Sequence, residues 1–489
     1  MQPTETTFDL DYSMRRRLGY MLVDKINEYY GSLSHRAVQL PRRQRRSMYS
    51  PEPIPEWGED PEITFERVFD DLLEKGFHIA SANYLGLMNP TPTFISVLAE
   101  TLVAALNPQL ASVERSAAAS SIERQTVDWV GQRIGWKQRF GGTFTTGGSE
   151  ANLTALQLAL VKLNPAVIDC GLQSLKAPAV FYASSESHHS LDKAAGMLGL
   201  GRHALRRIGV TDQMQIDLDQ LERAIRSDLE RGYLPFCVVG TAGTTNAGAI
   251  DNLMWMAEIS KQYGLWFHVD GAYGAAVIFS DRYRSLAQGI ELADSVSLDP
   301  HKWLAMPFSA GMLLTTHPEL LRKAYGTKAP YLQASQSPEL EDNFQISSQW
   351  SRRMNSLKLW MTLRVHGRVS YEALIDKQMK LAAGFAQWVN ESKRFELVAP
   401  QVLPAIVFRV KLPNAGEAEI AAANRALVEE INRSGQRWIS LTTVAERSAI
   451  RTMVISYLTT ETHVLELKNA LLAAAERLIA PRQIFERSK

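Results

Sequence analysis

Five short, mainly apolar runs, at residues 179–182, 236–240, 265–269, 295–298 and 311–314, constrain the fold of this chain more than any other feature. Each stands between longer stretches with helical character. A run that is apolar on both of its faces buries both, the pattern of a strand in a mainly parallel sheet covered by helices on each side. Sheets of this kind collect ligands at the carboxyl ends of their strands. Two motifs fall at such ends. His268-Val269-Asp270-Gly271-Ala272 closes the third run, and Asp299-Pro300-His301-Lys302-Trp303 follows the fourth.

A chain of 489 residues is too long for one core, and its pattern divides into three segments. Residues 1–75 read as helical, with Leu18, Met21, Leu22 and Ile26 at helical spacing; residues 76–365 form the large α/β domain; residues 366–489 form a smaller α+β domain. In the last segment, strands are expected at 405–410, 438–443 and 452–456, then a closing helix near 461–479. The basic run Arg42-Arg43-Gln44-Arg45-Arg46 reads as a solvated loop or as salt bridges to an acidic partner surface, because a net charge of +1 gives no reason to expect nucleic acid or an anionic membrane. Cys170 and Cys237 are the only cysteines, too few for a disulfide framework or a cysteine-rich metal site. The N-terminus does not read as a secretory signal and no apolar run is long enough to span a bilayer, so a cytoplasmic location is expected.

A buried aspartate and a buried lysine at neighbouring strand ends suit pyridoxal 5'-phosphate. The lysine amine forms a Schiff base with it, and the aspartate keeps its ring nitrogen protonated so that the ring accepts electrons. Asp270 and Lys302 are those residues. The phosphate needs an anion site. Thr143-Phe144-Thr145-Thr146-Gly147-Gly148-Ser149-Glu150-Ala151-Asn152 runs from a turn into a helix, so backbone N–H groups and the helix dipole can meet it there. A simple capped helix start would look the same in isolation.

These segments, with Ser187-His188-His189-Ser190-Leu191-Asp192-Lys193-Ala194 and Gly243-Thr244-Thr245 in order between them, resemble the group II pyridoxal-phosphate-dependent amino acid decarboxylases. The resemblance covers nearly the whole chain. It implies the aspartate-aminotransferase type (fold type I) architecture: a mainly parallel central sheet in the large domain, a small C-terminal α+β domain and a helical N-terminal segment. It also implies a homodimer with shared active sites. By position, Lys302 would hold the cofactor, Asp270 would pair with its ring nitrogen, and Ala272 and His188 would pack on its two faces, with Thr245 near its substituents. Gly148, Ser149, Asp299 and His301 match positions near the phosphate. The family often has asparagine where Asp299 stands, and a carboxylate there repels phosphate unless it is protonated or turned away. His189 is the alternative if the register slips by one residue. Glu150 reads as helix N-terminal charge, and His268 as a structural hydrogen-bonding residue.

The same resemblance makes Tyr331 the donor that returns a proton to the α-carbon, with Arg352 helping to organise the site and Arg353 as its alternative. Members that form aldehydes typically carry phenylalanine at the position of Tyr331, so tyrosine favours plain decarboxylation. The substrate wall is expected from Tyr84, Met88, Asn89 and Gln109. No arginine stands in those segments to pair a second carboxylate, which points to an aromatic or other neutral side chain. Acidic or other polar substrates (glutamate, cysteine sulfinate, diaminobutyrate) remain open at this level, as do an aldehyde synthase or aminotransferase and a catalytically silent homologue.

Overall fold

The computed structural model describes residues 9–41, 53–327 and 341–485, with side chains to residue 478. The basic run at 42–46 and Tyr331 lie outside the described residues. The chain divides into two compact units, both discontinuous in sequence. The smaller comprises residues 1–85, 426–439 and 458–489, and the larger residues 86–425 and 440–457. This grouping cuts across the three segments expected from the sequence pattern; the three-segment division stays a proposal.

The larger unit is built on a seven-stranded sheet. Its strands are β1 (Gly141–Thr145), β2 (Ala179–Ser184), β3 (Leu205–Ile208), β4 (Leu234–Thr241), β5 (Trp266–Asp270), β6 (Ser295–Leu298) and β7 (Gly311–Thr315), in the order β1-β7-β6-β5-β4-β2-β3. Only β7 runs against its neighbours, so the sheet is mainly parallel. All five apolar runs are strands of it.

Side-chain alternation, with both faces covered, explains why most positions of these strands are apolar. Cys237 and Val239 enter one hydrophobic cluster with Phe181, Leu313 and residues Ala155, Leu156 and Ala159 of a helix covering that face. Val238 enters the cluster on the opposite face, with Tyr182, Phe267, Val269, Val296 and Met312. A fully buried phenylalanine such as Phe181 or Phe267 contributes about 2–3 kcal/mol relative to exposure, so both faces hold the sheet in place.

β1 and β3 escaped the sequence pattern for different reasons. β1 is glycine- and threonine-rich, GGTFT, and carries little apolar signal. β3, at the sheet edge, has two arginines at its centre, Arg206 pairing with Asp228 at 2.9 Å and Arg207 with Asp192 at 2.6 Å.

A second, antiparallel sheet of the larger unit contains β8 (Phe395–Leu397), β9 (Ala405–Val410), β10 (Ser440–Val444) and β11 (Arg447–Met453), in the order β10-β11-β9-β8. β9 matches its expected bounds. β11 begins five residues before the expected 452, because the β10–β11 turn is made by Ala445 and Glu446. Both have positive φ, 45° and 63°, without the glycine or asparagine that marks such a turn in a sequence.

The smaller unit contains α1 (Tyr12–Ser32), α2 (Pro61–Lys75) and the helix Glu461–Phe485. Asp11 caps α1 by accepting from Met14 N, and Asp60 caps α2 by accepting from Glu62 N and Ile63 N. Gly435, at φ 76°, lets the chain pass against Gln39: a Cβ there would lie 2.0 Å from the Gln39 carbonyl oxygen. Among the described residues, no helix is long and apolar enough to cross a membrane.

Candidate active site

The segments that follow β2, β4, β5 and β6 and the start of one helix meet around a cavity of about 390 Å³ in the larger unit. β4 delivers Thr241 and the loop to Gly243 and Thr245; β5 delivers Asp270, Ala272 and Tyr273. The turn after β6 brings Asp299, His301 and Lys302, and the helix α3 (Phe94–Leu106) and α4 (Ala117–Ile134) precede the strand β1 that leads into α5 (Gly148–Leu163). From the start of α5 come Gly148, Ser149 and Asn152. The sequence-predicted Lys302, His188, Asp270, Gly148, Ser149, Thr245, Ala272, Asp299 and His301 all line this one cavity.

Asp270 is held from three directions. Asn152 Nδ2 donates to its Oδ2 at 2.8 Å, and Ser297 Oγ and the Ala272 N–H donate to Oδ1, each at 3.2 Å. Behind it runs an ordered chain of polar groups. Asn152 Oδ1 faces His268 Nε2 at 3.1 Å, His268 Nδ1 faces Ser295 Oγ at 2.9 Å, and Trp266 Nε1 donates to that same oxygen at 2.9 Å. Burial pushes His268 down to about 4, with Asp270 opposing the shift, so the ring is neutral near pH 7. Because Asn152 Nδ2 is spent on Asp270 and Ser190, its oxygen must accept, and His268 carries its proton on Nε2. Nδ1 then accepts from Ser295, as the structural reading of His268 from sequence expected.

His188 stands at the cavity with Nδ1 accepting from the Ser190 N–H at 3.2 Å, which leaves Nε2 to carry the proton of the neutral ring. Desolvation lowers its pKa, Asp270 opposes this and Lys302 adds to it. His189 is exposed, pairs with Asp192 at 3.3 Å and is not among the lining residues. Lys302 Nζ lies 2.9 Å from Asp299 Oδ2. His301 accepts at Nδ1 from the Ala310 N–H at 3.0 Å, and its ring packs against Phe308 with centroids 4.9 Å apart.

The start of α5 suits a phosphate. Its N-cap Gly147 provides no side-chain cap, and the N–H groups of Gly148 and Ser149 have no hydrogen-bond partner among the described residues. A Cβ on Gly148 would stand 2.9 Å from the Ala272 Cβ, so only glycine keeps this approach open. With a carboxylate for a ring nitrogen, a lysine amine and an open anion cradle in one cavity, the residues present fit pyridoxal phosphate.

Other expected residues lie elsewhere. Arg352 is buried below β1, paired with Glu123 and donating to Thr143 Oγ1 at 2.8 Å and the Phe144 carbonyl at 2.9 Å. Arg353 pairs with Glu100 on the surface at 2.7 Å. Tyr84, in the smaller unit, stacks on Trp438 with centroids 5.2 Å apart. Met88 is buried in the core of the larger unit, Asn89 is half-buried, and Gln109 is exposed and bonded to Arg115 at 3.0 Å. None of these is among the residues that line the cavity. Glu150 does more than add charge: it accepts from Thr146 N at 2.7 Å and Ser348 Oγ at 2.7 Å, tying the phosphate turn to a distant segment.

Asn152 carries no expected role, although an asparagine between Ala151 and Ala155 on a buried helix face signals a polar contact. Thr241 and Phe308 also line the cavity without having been singled out.

The description "Pyridoxal-dependent decarboxylase conserved domain" matches residues 48–411. An aromatic-L-amino-acid decarboxylase of Bacillus atrophaeus is 32% identical over 95% of this chain and 96% of its own length. An L-2,4-diaminobutyrate decarboxylase of Acinetobacter baumannii is 31% identical over 89% of this chain and 88% of its own. The crystal structure of Oryza sativa TDC with PLP and tryptamine superposes with a TM-score of 0.88 at 26% identity, covering 97% of this chain and all of that one (100%).

Proposed function

Because the chain belongs to the pyridoxal-dependent decarboxylase family, we propose that it converts an L-amino acid with an aromatic or other neutral side chain to its amine and carbon dioxide. That it is a pyridoxal-phosphate-dependent amino acid decarboxylase follows from the family; the substrate is the proposal. The observation that carries it is the charge of the cavity. Among the described lining residues there is no arginine, and the one lysine, Lys302, is paired with Asp299. Among the described lining residues a second substrate carboxylate finds no arginine, which argues against glutamate-like substrates.

When bound, the cofactor supplies an electron sink for the pair released as the carboxylate leaves. Lys302 would hold it through Nζ, the Gly148 and Ser149 amides would hold its phosphate, and Asp270 would keep a proton on its ring nitrogen. Asn152, Ser297 and the Ala272 amide fix the Asp270 carboxylate for that task. His188 offers an Nε2–H donor towards the cavity. Tyr331 is proposed to return a proton to the α-carbon, and Arg352 to brace β1 beneath the site.

We also propose a cytoplasmic homodimer with shared sites. On α3, Leu98, Leu102 and Leu106 recur every four residues and are 41%, 44% and 76% exposed, an apolar stripe that a second copy would cover. Full activity from a purified monomer would count against it.

A carbon dioxide release screen over the L-amino acids tests the substrate, with Tyr331→Phe alongside. Turnover of tyrosine, tryptophan, phenylalanine or dihydroxyphenylalanine is expected. Failure of all four, with turnover of glutamate, cysteine sulfinate or diaminobutyrate, would overturn the substrate reading. Clean amine formation by Tyr331→Phe, without aldehyde, would remove Tyr331 as the donor.

A further inference from the structure

Asp299 stands where a bound phosphate would want a positive or neutral neighbour. Its Oδ2 lies 3.1 Å from the position a Cβ on Gly148 would take, directly against the first turn of α5. The same oxygen is 2.9 Å from Lys302 Nζ and 3.7 Å from His301 Nε2. The side chain is buried, and its Oδ1 has no hydrogen-bond partner among the described residues.

We propose that Asp299 is a resident anion of the phosphate cradle, competing with the cofactor's phosphate for the positive field of the α5 N-terminus and Lys302. A helix N-terminus carries a partial positive charge, and the unpaired Gly148 and Ser149 N–H groups concentrate it at this spot. Lys302 adds a full charge. A carboxylate in that position supplies from within the chain what a phosphate supplies from outside. The two anions then share a site where Asp299 is buried, and like charges beside buried groups repel more strongly than in bulk water. An amide in its place would donate a hydrogen bond to the phosphate and carry no opposing charge. Asp299 thereby stabilises the cofactor-free protein and weakens its hold on cofactor, making loading responsive to cofactor concentration.

This rests on the phosphate seat at the start of α5, and the test separates the two ideas. Cofactor-free full-length protein would be titrated calorimetrically with inorganic phosphate and with pyridoxal phosphate. Asp299→Asn is expected to bind inorganic phosphate about tenfold or more tightly than the wild type. Asp299→Ala, which also removes the charge, serves if the amide variant fails to fold. Phosphate affinity no tighter in either variant overturns the proposal. Weaker binding also overturns it and makes Asp299 a donor to phosphate. Ser149→Asp, at an exposed position where helix geometry tolerates a carboxylate, is expected to weaken phosphate binding strongly. If it has no effect, the phosphate seat lies elsewhere and the proposal falls with it.

Discussion

Asn152 donates from Nδ2 to Asp270 Oδ2 at 2.8 Å while its amide oxygen accepts from His268. One amide therefore joins the carboxylate at the end of β5 to a neutral imidazole two residues earlier on the same strand. Trp266 and Ser295 complete the line, so the orientation of each donor is set by the next group. The Asp270 carboxylate is held by α5 and β6 as well as by the backbone that follows its own strand.

Replacing Asn152 with alanine is expected to weaken pyridoxal phosphate binding about tenfold to a hundredfold, the worth of one hydrogen bond to a charged group at about 1.5–3 kcal/mol. Titration of the cofactor-free protein by fluorescence quenching measures it. An unchanged dissociation constant would mean that Ser297 and the Ala272 amide orient Asp270 without help.

Two buried groups give opposing pH dependences of stability. His268 is pushed down to about 4 from 6.5, so the unfolded chain binds its proton first. Its contribution is complete above pH 6.5 and is lost as pH falls towards 4, about 3 kcal/mol in all. Asp251 is pushed up to about 6 by burial, against the bonds from the Ile216 and Thr241 N–H groups. Its contribution is complete below pH 4 and is lost as pH rises through 6, also about 3 kcal/mol. Urea unfolding between pH 4 and 7 should show His268→Gln flattening the acid loss and Asp251→Asn steepening it. The same slope in all three proteins would contradict both assignments.

The buried Arg352–Glu123 pair is expected to matter for folding more than for substrate affinity. Glu123→Gln leaves the guanidinium buried without a counter-charge, and removing one partner of a buried pair costs about 3–5 kcal/mol. A melting temperature within a degree of the wild type would show that Arg352 is not held by this pair.

Lys302→Ala should retain the fold yet show no covalent capture of pyridoxal phosphate on borohydride reduction, with turnover abolished. Mass spectrometry of the reduced protein reads this directly. A cofactor adduct on another lysine would displace Lys302 from its role.

Much of the site was legible in the chain because its parts sit at strand ends and helix starts, which local patterns mark. Asp270 and Lys302 follow apolar strands, and Gly148 opens a helix. His188 was separable from His189 only by the spacing of the residues after it. Where local signals were weak, the reading fell short. The arginines of β3 hide an edge strand, and Ala445 and Glu446 turn the chain without a turn residue. Tyr84, Met88, Asn89 and Gln109 stay proposed for the substrate wall, and their surroundings were not legible in the chain. Nothing in their spacing tells that Met88 packs inward or that Tyr84 stacks on Trp438, because burial depends on partners more than three hundred residues away in the case of Tyr84.

The sequence by itself determined the alternation of buried strands and helices, the family and the cofactor, since those depend on residue types at short range. The tertiary structure alone decided which polar groups share one cavity. It set Asn152 between His268 and Asp270, sent Arg352 beneath β1, and put the Asp299 carboxylate against the first turn of α5. Those are contacts between distant segments, settled by the packing of helix on sheet. The contact of Asp299 with that first turn is what the phosphate titration tests.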